Sequence, residues 1–156
     1  MDSSHLPRRQ PSVGAGSRRI LIVDDERSIC TLVALALSAG GLECAWTTTA
    51  QQARALLEQR PFDMMIVDLY LGDCTGMELI AHAKTAQPRC KVILLTGLPD
   101  ADILTEALKQ GAVGFFVKPF EIPSLRTMVE GALYGPEPER RLELPTASAP
   151  QKSPAA

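Results

Sequence analysis

Four short, uninterrupted apolar runs recur along the chain: Ile20 to Val23, Met64 to Val67, Val92 to Leu95 and Phe115 to Val117. Runs that do not alternate with polar residues suit strands covered on both faces, as in a parallel sheet. A fifth segment, Leu42 to Thr47, mixes apolar and polar residues and reads as an edge strand. Between the strands the period becomes helical. Ile29, Leu32, Val33 and Ala36 follow the i, i+3, i+4, i+7 spacing ahead of Gly40-Gly41, and Ala53, Leu56 and Leu57 do so between Thr49 and Arg60-Pro61. Met77, Ile80 and Ala81 mark a third helix, and Ile103, Leu104, Ala107 and Leu108 a fourth that Gly111 closes. Ile122, Leu125, Met128, Val129 and Ala132 form the last, with Pro123 suited to its first turn.

Five alternations of strand and helix predict an α/β fold, a doubly wound (βα)5 sandwich with right-handed crossovers. For a parallel five-stranded sheet the favoured arrangement is the flavodoxin-like order 2-1-3-4-5. Its chain reversal falls between the first and third strands, and open α/β sheets bind ligands beyond the carboxyl ends of strands at such a point. The residues after Val23 and Val67 are therefore the place to look for chemistry.

Composition narrows the class. With 156 residues, 46% hydrophobic and 22% charged, the chain suits one globular domain and is neither collagen-like, coiled-coil nor wholly disordered. No apolar run approaches the roughly 20 residues needed to cross a bilayer, so no membrane span is expected. Charge is uneven: residues 1–19 carry four Arg against one Asp, and residues 20–134 nine basic against fourteen acidic side chains. Seven of the twelve prolines lie in the two ends, which hold few large apolar residues. Residues 1–17 and 135–156 are accordingly expected to be disordered tails, the first Arg-containing and the second rich in Pro and Ala, around a domain at 18–134. No apolar stretch follows Arg8-Arg9, which argues against an export signal. Cys30, Cys44, Cys74 and Cys90 stand 14, 30 and 16 residues apart, a spacing that suits neither a zinc site nor a disulfide framework and favours a reduced, cytoplasmic setting.

Each apolar strand ends on polar groups: Asp24-Asp25 after the first, Asp68 after the third, Thr96-Gly97 after the fourth and Lys118-Pro119 after the fifth. Singly these are ordinary turn formers, N-caps or surface charges. Together they gather on one rim. Three carboxylates in one crevice repel each other, and a divalent cation removes that conflict. Hard oxygen ligands in small number suit Mg²⁺ better than zinc or a calcium cage, and Lys118 adds a compact positive charge for a phosphoryl oxygen.

These residues also carry a resemblance. ILIVDDE (Ile20 to Glu26), MMIVDLYLGDCTGMEL (Met64 to Leu79), VILLTG (Val92 to Gly97) and GFFVKPF (Gly114 to Phe120) resemble the receiver domain of two-component response regulators, over about residues 18–134. The resemblance implies that Asp68 accepts a phosphoryl group from a sensor histidine kinase or a histidine phosphotransfer protein. It implies that Asp25, Asp68 and the backbone carbonyl of Tyr70 ligate Mg²⁺ directly while Asp24 acts through water. Thr96 and Lys118 would hold the phosphoryl group, Gly97 would leave room for it, and Thr96 and Phe115 would switch conformation with it. The Lys118-Pro119 bond is implied to be cis.

The sequence departs from the family at Gly72, where many receivers have Pro; a glycine permits a looser loop after Asp68. Tyr70 and Leu98 flank the site and offer no acid or amide to orient water, so slow self-dephosphorylation is expected. Trp46 is expected to pack on the edge strand, Cys74 to be an unassisted loop thiol and His82 to sit on an exposed helix face. After Leu133 only 23 residues remain, five of them Pro, which predicts a stand-alone receiver without DNA binding that acts on a downstream protein through its fourth helix, fifth strand and fifth helix. A phosphorylation-dependent homodimer stays open. Two other readings stay open: a receiver-fold interaction module without phosphotransfer, and a metal-dependent phosphatase with an Asp nucleophile.

Overall fold

The computed structural model describes residues 16–135. The expected tails lie almost wholly outside them. Ten elements alternate in chain order: β1 (Arg19–Val23), α1 (Arg27–Ala39), β2 (Glu43–Thr47), α2 (Ala50–Gln59), β3 (Met64–Asp68), α3 (Gly76–Ala86), β4 (Lys91–Thr96), α4 (Ala101–Lys109), β5 (Ala112–Val117) and α5 (Ile122–Tyr134). All strand pairs are parallel, and the sheet runs β2-β1-β3-β4-β5. The order 2-1-3-4-5 expected from the alternation is the one observed.

Because successive side chains of a strand point to opposite faces, the apolar runs split between two cores. Leu21, Val23, Met65, Val67, Val92 and Leu94 pack against α2, α3 and α4, whereas Ile20, Ile22, Met64, Ile66, Ile93 and Leu95 pack against α1 and α5. The apolar runs of β1, β3 and β4 are buried on both faces as the sequence predicts. β5 is not. It begins at Ala112, earlier than the apolar run Phe115 to Val117 suggests, and its burial alternates, with Val113, Phe115 and Val117 exposed. It is an edge strand, and α4 contributes only Ala107 as a fully buried side chain, so that face of β5 is thinly covered.

Two helices differ in phase from the sequence reading. In α1 the buried stripe is Cys30, Val33 and Leu37, while Leu32 is half exposed. A free cysteine packs as a small hydrophobe, which moves the stripe by one residue. In α3 the buried residues are Gly76, Leu79, Ile80 and Ala83, and Ala81 faces outward. Thr75 and Glu78 close a reciprocal capping box at its start. Gly76 is required there, because a Cβ would collide with the carbonyl oxygen of Asp68. His82 is half-buried rather than exposed, 3.8 Å from Glu58 on α2. Trp46 packs on edge strand β2 as expected, with the Arg27 guanidinium 5.5 Å from its ring centroid. The four cysteines are unpaired. No helix among the described residues is long and apolar enough to cross a membrane.

Candidate functional site

The register decides what meets at the rim. Val23 lies beside Val67, so Asp24 and Asp68 leave neighbouring strands at the same level. Thr96 pairs with Val117 across the next seam, which brings Lys118 to the same end of the sheet. Asp24, Asp25 and Asp68 each offer a carboxylate oxygen within 4.8 Å of the others. The Lys118 ammonium stands among the acids, 2.8 Å from Asp24 Oδ2 and 3.4 Å from Asp68 Oδ2. Asp24 is fully buried, its Oδ1 accepting the Glu26 backbone N–H at 2.9 Å, whereas Asp25 is exposed.

Burial shapes the electrostatics. The Asp68 carboxyl is pushed up to about 6, first by desolvation and then by the charge of Asp24, with Lys118 acting against both. Desolvation also raises Asp24, opposed by its hydrogen bond from Lys118. Burial alone would lower Lys118, but its bonds and attraction to Asp24 and Asp68 together hold it above its ordinary value. The crevice keeps an excess of negative charge, held by hard oxygen donors. Such a set fits a divalent cation of the Mg²⁺ type.

The family model for the response regulator receiver domain matches residues 20–130. This chain belongs to the response regulator receiver family. It is 34% identical over 122 residues to response regulator protein PilR of Pseudomonas aeruginosa, covering 78% of this chain and 27% of PilR. The chain thus spans about a quarter of the length of that relative. Among solved structures it resembles a CheY-like receiver domain protein of Methanospirillum hungatei, with TM-score 0.73 and 30% identity over 76% of this chain and 94% of the other. It also resembles a response regulator of Burkholderia pseudomallei solved with a phosphorylated aspartic acid, a calcium ion and citrate, with TM-score 0.66 and 26% identity over 77% and 76% of the two chains.

The other expected receiver residues differ in burial and bonding. Thr96 is fully buried, and its hydroxyl donates to the Leu98 carbonyl and accepts the Leu98 N–H, both at 3.0 Å. A Cβ built on Gly97 would meet no atom within 4 Å, so the space beside Thr96 is open. Phe115 pairs with Leu94, whose side chain lies in the α2–α4 layer, yet it is 36% exposed. The Tyr70 ring is half exposed, two residues past Asp68. The Lys118-Pro119 bond is cis.

Glu26 is a member of the receiver crevice that the sequence reading did not assign. Its Oε1 lies 3.2 Å from Lys118 Nζ. The only signal was a third acid directly after Asp24-Asp25. The loop after Asp68 also differs from expectation. Gly72 has φ +80°, a conformation closed to proline, and the loop is pinned rather than loose. The Asp73 N–H donates to Leu71 O at 2.8 Å, and the Asp73 carboxylate accepts the N–H groups of Ala50 and Gln51.

Proposed function

We propose that this receiver is a phosphorylation-switched signalling protein in which Asp68 is the acceptor. The convergence of Asp24, Asp25, Asp68 and Lys118 at one end of the sheet carries the reading. An Asp68 carboxylate oxygen attacks the phosphorus of a phosphohistidine on a sensor kinase or phosphotransfer protein. The P–N bond breaks, its electron pair returns to the imidazole nitrogen, and an acyl phosphate remains on Asp68. Asp24, Asp25, Asp68 and the Tyr70 carbonyl would hold Mg²⁺, which when bound supplies positive charge against the phosphoryl oxygens. Lys118 is already beside Asp68 and can move from the carboxylates to the phosphate.

The added charge of roughly −1.5 to −2 would draw the Thr96 hydroxyl away from Leu98 and reposition the loop between β4 and α4. Phe115, exposed on the thinly covered face, then changes position, and the α4–β5–α5 surface presents a different shape to a downstream protein. Leu108, Val113 and Val117 are exposed on these elements and support that reading. A cytoplasmic location and action without direct DNA contact belong to the same proposal.

Incubation with Mg²⁺ and a small phosphoramidate donor, followed by intact mass, tests it. A single phosphoryl adduct on the wild type that is absent from Asp68→Asn is expected. No adduct on the wild type would leave a constitutive interaction module, and turnover of phosphate esters would indicate a phosphatase. After donor removal the adduct should persist, and Tyr70→Asn should lose it faster; a wild type that decays as fast as the variant contradicts the role given to Tyr70.

A further inference from the structure

The loop between β3 and α3 carries the Tyr70 carbonyl, and its backbone is fixed on both sides. Leu69 and Leu71 are buried, the Leu69 N–H donates to Leu95 O at 2.8 Å, and the Leu71 N–H to Cys74 O at 3.1 Å. Gly76 N–H returns to Leu69 O at 2.6 Å, closing the loop on itself. A further tie joins the loop to α2. The Asp73 carboxylate takes the N–H of Ala50 on Oδ1 at 3.0 Å and that of Gln51 on Oδ2 at 3.1 Å. These are first-turn donors of α2 that have no partner within their own helix. The Gly72 conformation, with φ +80°, is what turns Asp73 back so that its N–H meets Leu71 O.

The same turn between β2 and α2 also holds the other acidic loop. Thr47 O accepts the Asp24 N–H at 3.3 Å and the Cys30 thiol at 3.6 Å. Backbone from Thr47 to Gln51 is therefore a brace shared by the segments that bear Asp24 and Tyr70. None of its own side chains reaches the acids in the described contacts.

We infer that Asp73 is a positioning residue for the metal centre: through its two bonds to the start of α2 it sets the Tyr70 carbonyl relative to Asp24 and Asp68. This rests on the phosphoacceptor reading above. Outer groups that orient metal ligands act by removing alternative positions of the ligand, and their loss typically weakens metal affinity. Here the orienting group lies on the loop itself and its anchor is a helix that carries no ligand. Gly72 and Asp73 together do the work of restraining the loop where many receivers rely on a proline.

The test is calorimetric titration of the full chain with Mg²⁺ alone. Asp73→Ala should bind about tenfold more weakly, the lower end of the usual loss for such groups. Asp73→Asn keeps an amide oxygen that can accept one of the two N–H groups, and should recover part of the loss. Gln87→Ala removes bonds at the opposite end of α2, from Gln87 Nε2 to the Leu57 and Arg60 carbonyls, and should lower thermal stability without changing Mg²⁺ affinity. In the wild type, Mg²⁺ should slow hydrogen exchange at the Ala50 and Gln51 amides, because coupling between the two sites is reciprocal. A folded Asp73→Ala with wild-type affinity overturns the role. So does Gln87→Ala weakening Mg²⁺ equally, which would make the effect one of general destabilisation. Should Asp73→Ala fail to fold, unchanged exchange at Ala50 and Gln51 on adding Mg²⁺ to the wild type overturns it as well. A wild type that binds no Mg²⁺ and takes no phosphoryl group defeats the phosphoacceptor reading itself, and with it this one.

Discussion

The two sides of the rim are built differently. On the β1–β3 side, Asp24 follows β1 and Asp68 ends β3, strands buried on both faces, and the two share one ammonium within 3.4 Å. On the β4–β5 side, Thr96 is buried but its hydroxyl bonds, among the described residues, only to Leu98 of its own loop, and Phe115 and Val117 lie open on an edge strand. Groups that must keep sub-ångström relations stand on rigid, doubly covered backbone. Phe115, proposed to move, stands where little packing has to be broken, and Thr96, fully buried at the end of β4, has only to exchange the bonds of its hydroxyl to Leu98. A switch needs two arrangements of similar free energy, and a thinly covered edge supplies them more readily than a core.

The comparison is broken most severely by Lys118→Ala. Removing the cation leaves Asp24 buried among like charges, and in metal-free buffer the loss should be roughly 3 kcal/mol, read by urea unfolding. A loss under about 1 kcal/mol would mean that the acidic side is not held by this ammonium.

Asp68→Asn should act in the opposite direction. Asp68 titrates near 6 in the folded protein against an ordinary value of 3.8. Its protonated form therefore favours folding fully below 3.8, and this contribution disappears as pH rises through about 6. Above that, the folded state carries the ionised carboxyl at a cost beside Asp24 and Asp25, partly offset by Lys118. In metal-free buffer the variant should thus exceed the wild type by on the order of 2–3 kcal/mol at pH 7, with the gap closing toward pH 4. A gap that widens as pH falls would contradict the assigned burial penalty.

On the other side of the rim the effects should be smaller. Phe115→Ala removes a side chain that is already 36% exposed, and the cost to stability should stay below about 1 kcal/mol. The yield of phosphoryl adduct should match the wild type, because Phe115 is not among the groups beside Asp68. A large loss of stability or of adduct would show that the two sides are not separable.

Much of this could be read along the chain. The uninterrupted runs at Ile20, Met64 and Val92 marked the central strands, and their last residues marked Asp24, Asp68 and Thr96 as rim groups. Strand spacing and polar ends are local properties, so the chain itself expresses them. Contacts made across long stretches of chain are a different matter. Glu26 reaches Lys118 over 92 positions, and Asp73 reaches Ala50 over 23; neither distance leaves a periodic trace.

By itself, then, the sequence determined the alternation of strands and helices, the acids at the strand ends and membership of the receiver family. Tertiary structure alone decided that Cys30 would complete the buried stripe of α1, that α4 would leave Phe115 open, and that Gly72 and Asp73 would tie one acidic loop to α2. The physical reason is the range of the forces involved. Backbone geometry and hydrophobic period act within a few residues, whereas burial, ion pairing and the satisfaction of helix-end N–H groups depend on which segments packing brings together.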